Sequence, residues 1–212
     1  MKSKPEKIRY NRIAPIYDWL EWFPETLAFR KWRQRLFQYL TGKRVLEVGL
    51  GTGKNIPYYP PDVQLVGIDI SRRMLSRARE KAMANFQPVG LLTMDAQRLA
   101  FPDQTFDHTI STFVFCSVYE PVEGLRELYR VLKPGGTALF LEHVRPESPL
   151  PGKVFDMLNP LIVRMMGANI NRRTVENIRK AGFEIEKEWN LWKDIVKFVV
   201  ARKPETERKS HG

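Results

Sequence analysis

Residues 44–53 read Arg-Val-Leu-Glu-Val-Gly-Leu-Gly-Thr-Gly, a short apolar run that closes on an acid and then on three glycines at alternate positions. A buried parallel strand stopping there presents bare backbone to whatever lies beyond it. A Cβ at Gly49, Gly51 or Gly53 would hinder both left-handed turns and the close approach of a ligand. A second apolar run, Leu65-Val-Gly-Ile68, closes on Asp69, twenty residues after Gly49. That is the spacing at which an acid ending the next strand can accept hydrogen bonds from a pair of ribose hydroxyls. The glycines are spaced G-x-G-x-G, not the G-x-G-x-x-G that seats a dinucleotide pyrophosphate on a helix N-terminus, which points away from NAD and FAD.

Outward from this stretch, strand and helix signals alternate. The patterns predict strands near 44–49, 65–69, 90–93, 107–112, 136–142, 184–190 and 195–202, and helices near 26–40, 72–84, 122–132 and 172–181. Such alternation is the signature of a doubly wound α/β sheet. Pro134-Gly135-Gly136 reads as a tight turn before a strand and is assigned no chemistry. A chain of 212 residues with 43% hydrophobic content is of a size to form one α/β domain with a sizeable core. No apolar run approaches the ~18–20 residues of a membrane span, and Met1 to Lys7 lacks the apolar core of a signal peptide. A lone cysteine, Cys116, cannot form an internal disulfide, so a reducing, cytoplasmic setting is expected. No Cys/His cluster has metal-ligand spacing, and no metal is expected.

Glu47-Val-Gly49-Leu-Gly51-Thr-Gly53 with Asp69 resembles the S-adenosylmethionine (SAM) site of class I methyltransferases, and the resemblance extends over nearly the whole chain. It implies a seven-stranded Rossmann-like sheet with its last strand antiparallel, a ligand crevice over the carboxyl ends of the first, second and fourth strands, and an N-terminal helical lid. It assigns Tyr10, Tyr17, Glu47, Gly49, Gly51, Gly53, Asn55, Asp69, Ile70, Met74, Asp95, Ala96 and Thr112 to the cofactor, with Asp69 on the ribose, Met74 over the adenine and Asp95 near the adenine amino group. Taken singly, the glycines could be an ordinary strand-to-helix turn, Asp69 and Asp95 helix caps, and Met74 plain core. Taken jointly, their order and spacing favour the site.

Tyr10-Asn-Arg-Ile-Ala14-Pro-Ile-Tyr17-Asp18 resembles the "Tyr/Phe-x-x-x-Ala-x-x-Tyr-Asp" signature of bacterial phospholipid N-methyltransferases and quinone C-methyltransferases, where the segment folds over bound SAM. Phe115 to Val118, Leu141 to Val144, Asn159-Pro160 and Gly167 to Thr174 resemble the methyltransferase-like thiol methyltransferases, small membrane-associated enzymes. These relatives differ in acceptor atom, nitrogen against sulfur. The quinone enzymes rank third, being longer and carrying a tail signature that this chain lacks.

Methyl transfer from a sulfonium is an in-line displacement that requires alignment and exclusion of water rather than a covalent catalyst. Candidate catalytic residues are Tyr17, Tyr119, Glu142 and His143. Glu142 and His143 end a strand at the crevice, so either could accept a proton, but adjacent strand residues point to opposite faces and only one is expected to reach it. Phe113, Phe115, Val118 and Tyr119 are expected to floor the acceptor side, which suits a greasy or small acceptor better than a flipped base. Cys116 is expected to be buried and inert.

The formal net charge of +11 asks for a partner. Residues 1–44 mix eleven Lys/Arg and four acids with Trp19, Leu20, Trp22, Phe23, Phe29 and Trp32, a composition that interfacial helices use on anionic lipid. A second apolar stretch, 154–166, falls where family members insert a substrate-binding segment. The sequence therefore divides into a lid or membrane-facing segment (1–40), a SAM-binding domain (41–204) and a polar tail (205–212). The expected protein is a monomeric methyltransferase, peripheral on the inner face of the membrane, that N-methylates phosphatidylethanolamine, with S-methylation of a small lipophilic thiol as the alternative. No nucleic-acid module is recognisable, which sets aside an RNA-binding role, and a non-catalytic SAM-binding module would leave the acceptor-side residues without purpose.

Overall fold

The structure, a computed structural model, describes residues 29–205, so the lid signature with Tyr10 and Tyr17 lies outside the described residues. Thirteen elements follow in order: α1 (Arg30–Phe37), β1 (Arg44–Val48), a 3-10 turn (Ile56–Tyr58), β2 (Gln64–Asp69), α2 (Arg72–Ala84), β3 (Val89–Thr93), β4 (Phe106–Thr112), α3 (Pro121–Val131), β5 (Leu132–His143), α4 (Pro149–Met166), α5 (Thr174–Lys180), β6 (Glu184–Trp192) and β7 (Val196–Arg202). The strands form one seven-stranded sheet in the order β3-β2-β1-β4-β5-β7-β6. β1 pairs in parallel with both β2 and β4, whereas β7 runs antiparallel to β5 and β6. Because the strand order reverses beside β1, a crevice opens over the carboxyl ends of β1, β2 and β4, the switch point of a doubly wound sheet.

The central strands are covered on both faces, which is why β1, β4 and β7 are buried along almost their whole length rather than at alternate positions. One face packs Leu46, Val48, Ile68 and Phe140 with Leu125, Leu128 and Ile178 of the helices. The other packs Val45, Leu65, Leu139, Leu141 and Phe198 with Leu36 and Phe37 of α1. Neighbours such as Phe140 and Leu141 fall on opposite faces, as the period of a strand requires.

Three elements depart from expectation. α1 is not an outward-facing interfacial helix: its apolar side is committed to the sheet, Arg33 is only 3% exposed, and the Arg35 guanidinium lies 4.5 Å from the centre of the Trp189 ring. β5 starts earlier than predicted because the Pro134-Gly135-Gly136 turn is absorbed as an irregularity, the pairing with β4 shifting register between Phe106 and His108. The apolar stretch after β5 is a helix, α4, with Pro149 and Pro151 in its first turn, where proline is tolerated, and Gly167 ending it at φ +81°. Among the described residues no helix is long and apolar enough to cross a membrane.

Candidate active site

The loop after β1 is drawn over the sheet end by two bonds: the Leu50 N–H donates to the Ile68 carbonyl (2.9 Å) and the Gly51 N–H donates to Asp69 Oδ2 (3.0 Å). The three glycines divide their work. A Cβ on Gly51, at φ +58°, would meet nothing closer than the Gly49 carbonyl at 3.9 Å, so it would project into the crevice and occupy ligand space. A Cβ on Gly49 would instead sit 2.4 Å from Val114 Cγ2, and one on Gly53 2.5 Å from Ile56 Cδ1. Of the three, Gly51 keeps the backbone open to a ligand; Gly49 and Gly53 allow the β4 loop and α2 to pack close.

Asp69 ends β2 with both oxygens held, Oδ2 by Gly51 and Oδ1 by the Ser71 N–H (2.8 Å). Burial pushes its carboxyl up to about 6 against the pull of those backbone donors. Each carboxylate oxygen has a further lone pair, so an anchored Asp69 can still accept from ribose hydroxyls. Ser71 Oγ caps α2 by accepting from the Met74 N–H (3.2 Å), which fixes Met74 in the first turn. After β3, Asp95 Oδ1 accepts from the Gln97 N–H and side-chain amide, both at 3.0 Å. Gly49, Gly51, Asp69, Ile70, Met74, Asp95, Ala96 and Thr112 line one crevice. An acid placed for a ribose, apolar walls beyond it and bare backbone at Gly51 fit the nucleoside and methionine parts of SAM.

Three expected cofactor residues lie elsewhere. Gly53 packs against α2, while Glu47 and Asn55, each 1% exposed, form a polar network beneath the crevice floor. Glu47 accepts from Asn55 Nδ2 (2.7 Å) and from the Tyr59 hydroxyl (2.9 Å). Arg33 Nη1 donates to Asn55 Oδ1 (2.6 Å) and to Thr112 Oγ1 (3.2 Å), and Thr112 also accepts from Asn55 Nδ2 (3.1 Å). Burial raises the Glu47 carboxyl to about 7, opposed by the bonds from Asn55 and Tyr59 and by the Arg33 charge. Glu47 thus reaches the site through Asn55 and Thr112, which does line the crevice. Arg33 and Tyr59 carry no signal in the sequence, since nothing there tells a buried arginine of α1 from its solvated neighbours.

The opposite wall of the crevice is formed by the turn after β4. Phe113 adopts φ +58°, unusual for an aromatic residue and costing of order 1–3 kcal/mol. Glu142 holds this turn. It is 1% exposed and accepts from Ser111 Oγ (2.6 Å), the Val114 N–H (3.1 Å) and the Phe115 N–H (3.2 Å), and burial raises its carboxyl to about 7. It does not line the crevice, so its position is that of a brace rather than of the expected proton acceptor. His143, on the opposite face of β5, is half-buried behind the wall, its ring 4.7 Å from that of Phe113. Phe113, Val114, Ser117, Val118 and Tyr119 line the crevice, with Tyr119 71% exposed at its mouth. Phe115, expected on this floor, turns inward against Phe140. Cys116 is buried, its thiol pushed up to about 12 chiefly by desolvation, and is no nucleophile. Among the described residues no group of acids, His and Cys could hold a metal.

Fold and crevice together define a doubly wound α/β protein whose switch-point crevice fits a nucleoside-bearing cofactor beside an apolar wall. Residues 46–140 match the methyltransferase domain family. Across 79% of its length the chain is 34% identical to a ubiquinone/menaquinone biosynthesis C-methyltransferase of Geobacter sulfurreducens, covering 70% of that protein. Across 51% of its length it is 45% identical to a phosphatidylethanolamine N-methyltransferase of Cereibacter sphaeroides, covering 55% of it. The crystal structure of a SAM-dependent methyltransferase from Thermotoga maritima, a possible histamine N-methyltransferase, shares the fold with a TM-score of 0.71 at 23% identity, over 92% of this chain and 99% of that one. The chain belongs to the class I SAM-dependent methyltransferases, and SAM is its cofactor.

Proposed function

We propose that the protein methylates a lipophilic acceptor at a membrane surface, and that this acceptor is the amino headgroup of phosphatidylethanolamine. The observation that carries the reading is the acceptor wall: Phe113, Val114 and Val118, with Tyr119 at the mouth, and no carboxylate of its own once Glu142 is committed to the β4 turn. Such a wall desolvates an entering amine. Desolvation disfavours the ammonium form, so the neutral nucleophile is available without a dedicated base. The rings of Phe113 and Tyr119 also suit a methylated ammonium, which aromatic faces attract. SAM supplies the methyl group when bound; the chain aligns the acceptor with it and keeps water out.

Ring C-methylation of a prenylated quinol is the second reading, favoured by the longer match to the Geobacter C-methyltransferase. Thiol S-methylation stands third, since it rests on the motif resemblance in the second half of the chain. Incubation with labelled SAM and anionic vesicles carrying phosphatidylethanolamine, a prenylated quinol or a lipophilic thiol separates the three. The expected label is in the phospholipid fraction; label in the quinol or the thiol alone would replace the first reading.

A further inference from the structure

α4 turns apolar side chains outward as well as inward. Gly152 is buried and Phe155, Asn159, Ile162 and Val163 are half-buried on its inner side, where Asn159 Oδ1 accepts from the Ile170 N–H (2.9 Å), and at its edge Asp156 pairs with Arg145 (2.8 Å) and accepts from Asn171 (3.2 Å). Its outer side is apolar too, with Leu150 75%, Met157 72% and Leu161 55% exposed and Val154 and Leu158 at 40%. Their spacing, i, i+4, i+7, i+8 and i+11, makes one continuous stripe. A helix that only covers a core keeps that side polar. At the helical period Lys153 and Arg164, both exposed, fall along one border of the stripe, and the helix's single acid, Asp156, is paired with Arg145. The helix is also tied to the crevice. The segment that follows it donates from the Asn169 N–H (2.8 Å) and Asn169 Nδ2 (3.2 Å) to the Cys116 carbonyl, and from Arg172 Nη2 (2.9 Å) to the Val118 carbonyl. Those carbonyls belong to the loop that carries Ser117, Val118 and Tyr119 of the acceptor wall.

We infer that α4 is the element by which the protein docks on an anionic lipid surface, the stripe from Leu150 to Leu161 entering the headgroup boundary while Lys153 and Arg164 meet anionic headgroups. The inference rests on the lipophilic-acceptor reading and extends it by naming the docking element. An apolar stripe bordered by cations is the pattern of a helix lying in an interface, and the chain's net charge of +11 favours an anionic surface. A second copy of the chain is a poorer occupant. In a two-fold pair of antiparallel helices Lys153 would face the Arg164 side of its partner, like charges with no acid of α4 free to separate them.

Co-sedimentation of the full chain with phosphatidylcholine vesicles, with and without phosphatidylglycerol, tests the inference. The expected result is that the double variant M157E/L161E binds anionic vesicles at least tenfold more weakly, and that K153Q/R164Q loses the preference for phosphatidylglycerol. Both should keep wild-type SAM affinity and melting temperature, because these side chains touch neither crevice nor core. Wild-type vesicle binding by M157E/L161E would overturn the assignment, as would a wild-type dimer that this variant dissociates. An environment-sensitive fluorophore on Met157→Cys adds a direct reading, since Cys116 is buried. Its emission should shift blue on adding anionic vesicles; blue emission beforehand, unchanged by vesicles, would mean that another part of the chain covers the stripe. Binding is read without turnover, so methylation of a soluble acceptor with vesicle binding intact would overturn the functional proposal and leave the docking helix standing.

Discussion

Asp69 and Arg33 show what one residue can and cannot disclose. Asp69 is legible because its role follows from its place in the chain, an acid ending the second apolar run. Arg33 is not, because its neighbours Arg30, Lys31 and Arg35 have the same charge and only packing tells them apart. Since charge-assisted hydrogen bonds are worth ~1.5–3 kcal/mol each, Asp69→Ala should weaken SAM binding at least tenfold in a folded protein, as titration calorimetry would show. Affinity in the wild type should also fall as pH drops through about 6, where Asp69 takes up a proton and can no longer accept at both oxygens. Asp69→Ala should lose that pH dependence. Glu142 makes a different prediction. Its carboxyl lies near 4.5 when unfolded and is raised to about 7 by burial, so the folded protein holds a proton that the unfolded chain has released. The stabilisation is complete below about pH 4.5 and is lost as pH rises through 7. Glu142→Gln should therefore flatten the decline in urea stability between pH 5 and pH 8; an unchanged slope would deny Glu142 this share.

Elements were legible where periodicity and tertiary role agree. β1, β2 and α2 match their predicted limits closely because a two-sided buried strand and a capped helix have local signatures. In the sequence α4 shows only as an apolar insertion. Pro149, Pro151, Gly152 and Pro160 resemble loop residues, and its apolar residues lie on both sides of the helix, so no single core-facing stripe marks it. The mixed basic and aromatic composition of α1 suggested a lipid surface, but Leu36 and Phe37 are spent on the sheet. The two helices can be told apart by charge removal. Replacing Arg30, Lys31 and Arg35 by glutamine should leave vesicle binding within about twofold, because the long-range attraction that it weakens is screened at physiological salt. Arg33→Gln alone should instead lower stability by about 1–3 kcal/mol in urea denaturation by taking its buried donor from Asn55 Oδ1. Vesicle binding that collapses with the three exposed charges would return the docking role to α1.

At the scale of the whole molecule, alternation of strand and helix signals suffices for a doubly wound sheet, but the antiparallel last strand and the crevice over the first, second and fourth strands come from family resemblance, because neighbours in a sheet are not written in local periodicity. The order matters for energetics as well as for the site. β1, β2 and β4, whose carboxyl ends frame the crevice, also contribute Leu46, Ile68 and Phe106 to one core face and Val45, Leu65 and Ile110 to the other. Binding at their ends should therefore be felt by both cores at once. A ligand that binds only the native state adds about 2.7 kcal/mol at a hundred times its Kd. For a chain of this size that corresponds to a rise of roughly 5–10 °C in the melting midpoint, with a single transition kept. SAM should produce this shift in the wild type and much less in Asp69→Ala, and amide exchange should slow along β1, β2 and β4 together. Protection confined to the glycine loop, with the midpoint unmoved, would mean that the site is energetically separate from the sheet that carries it.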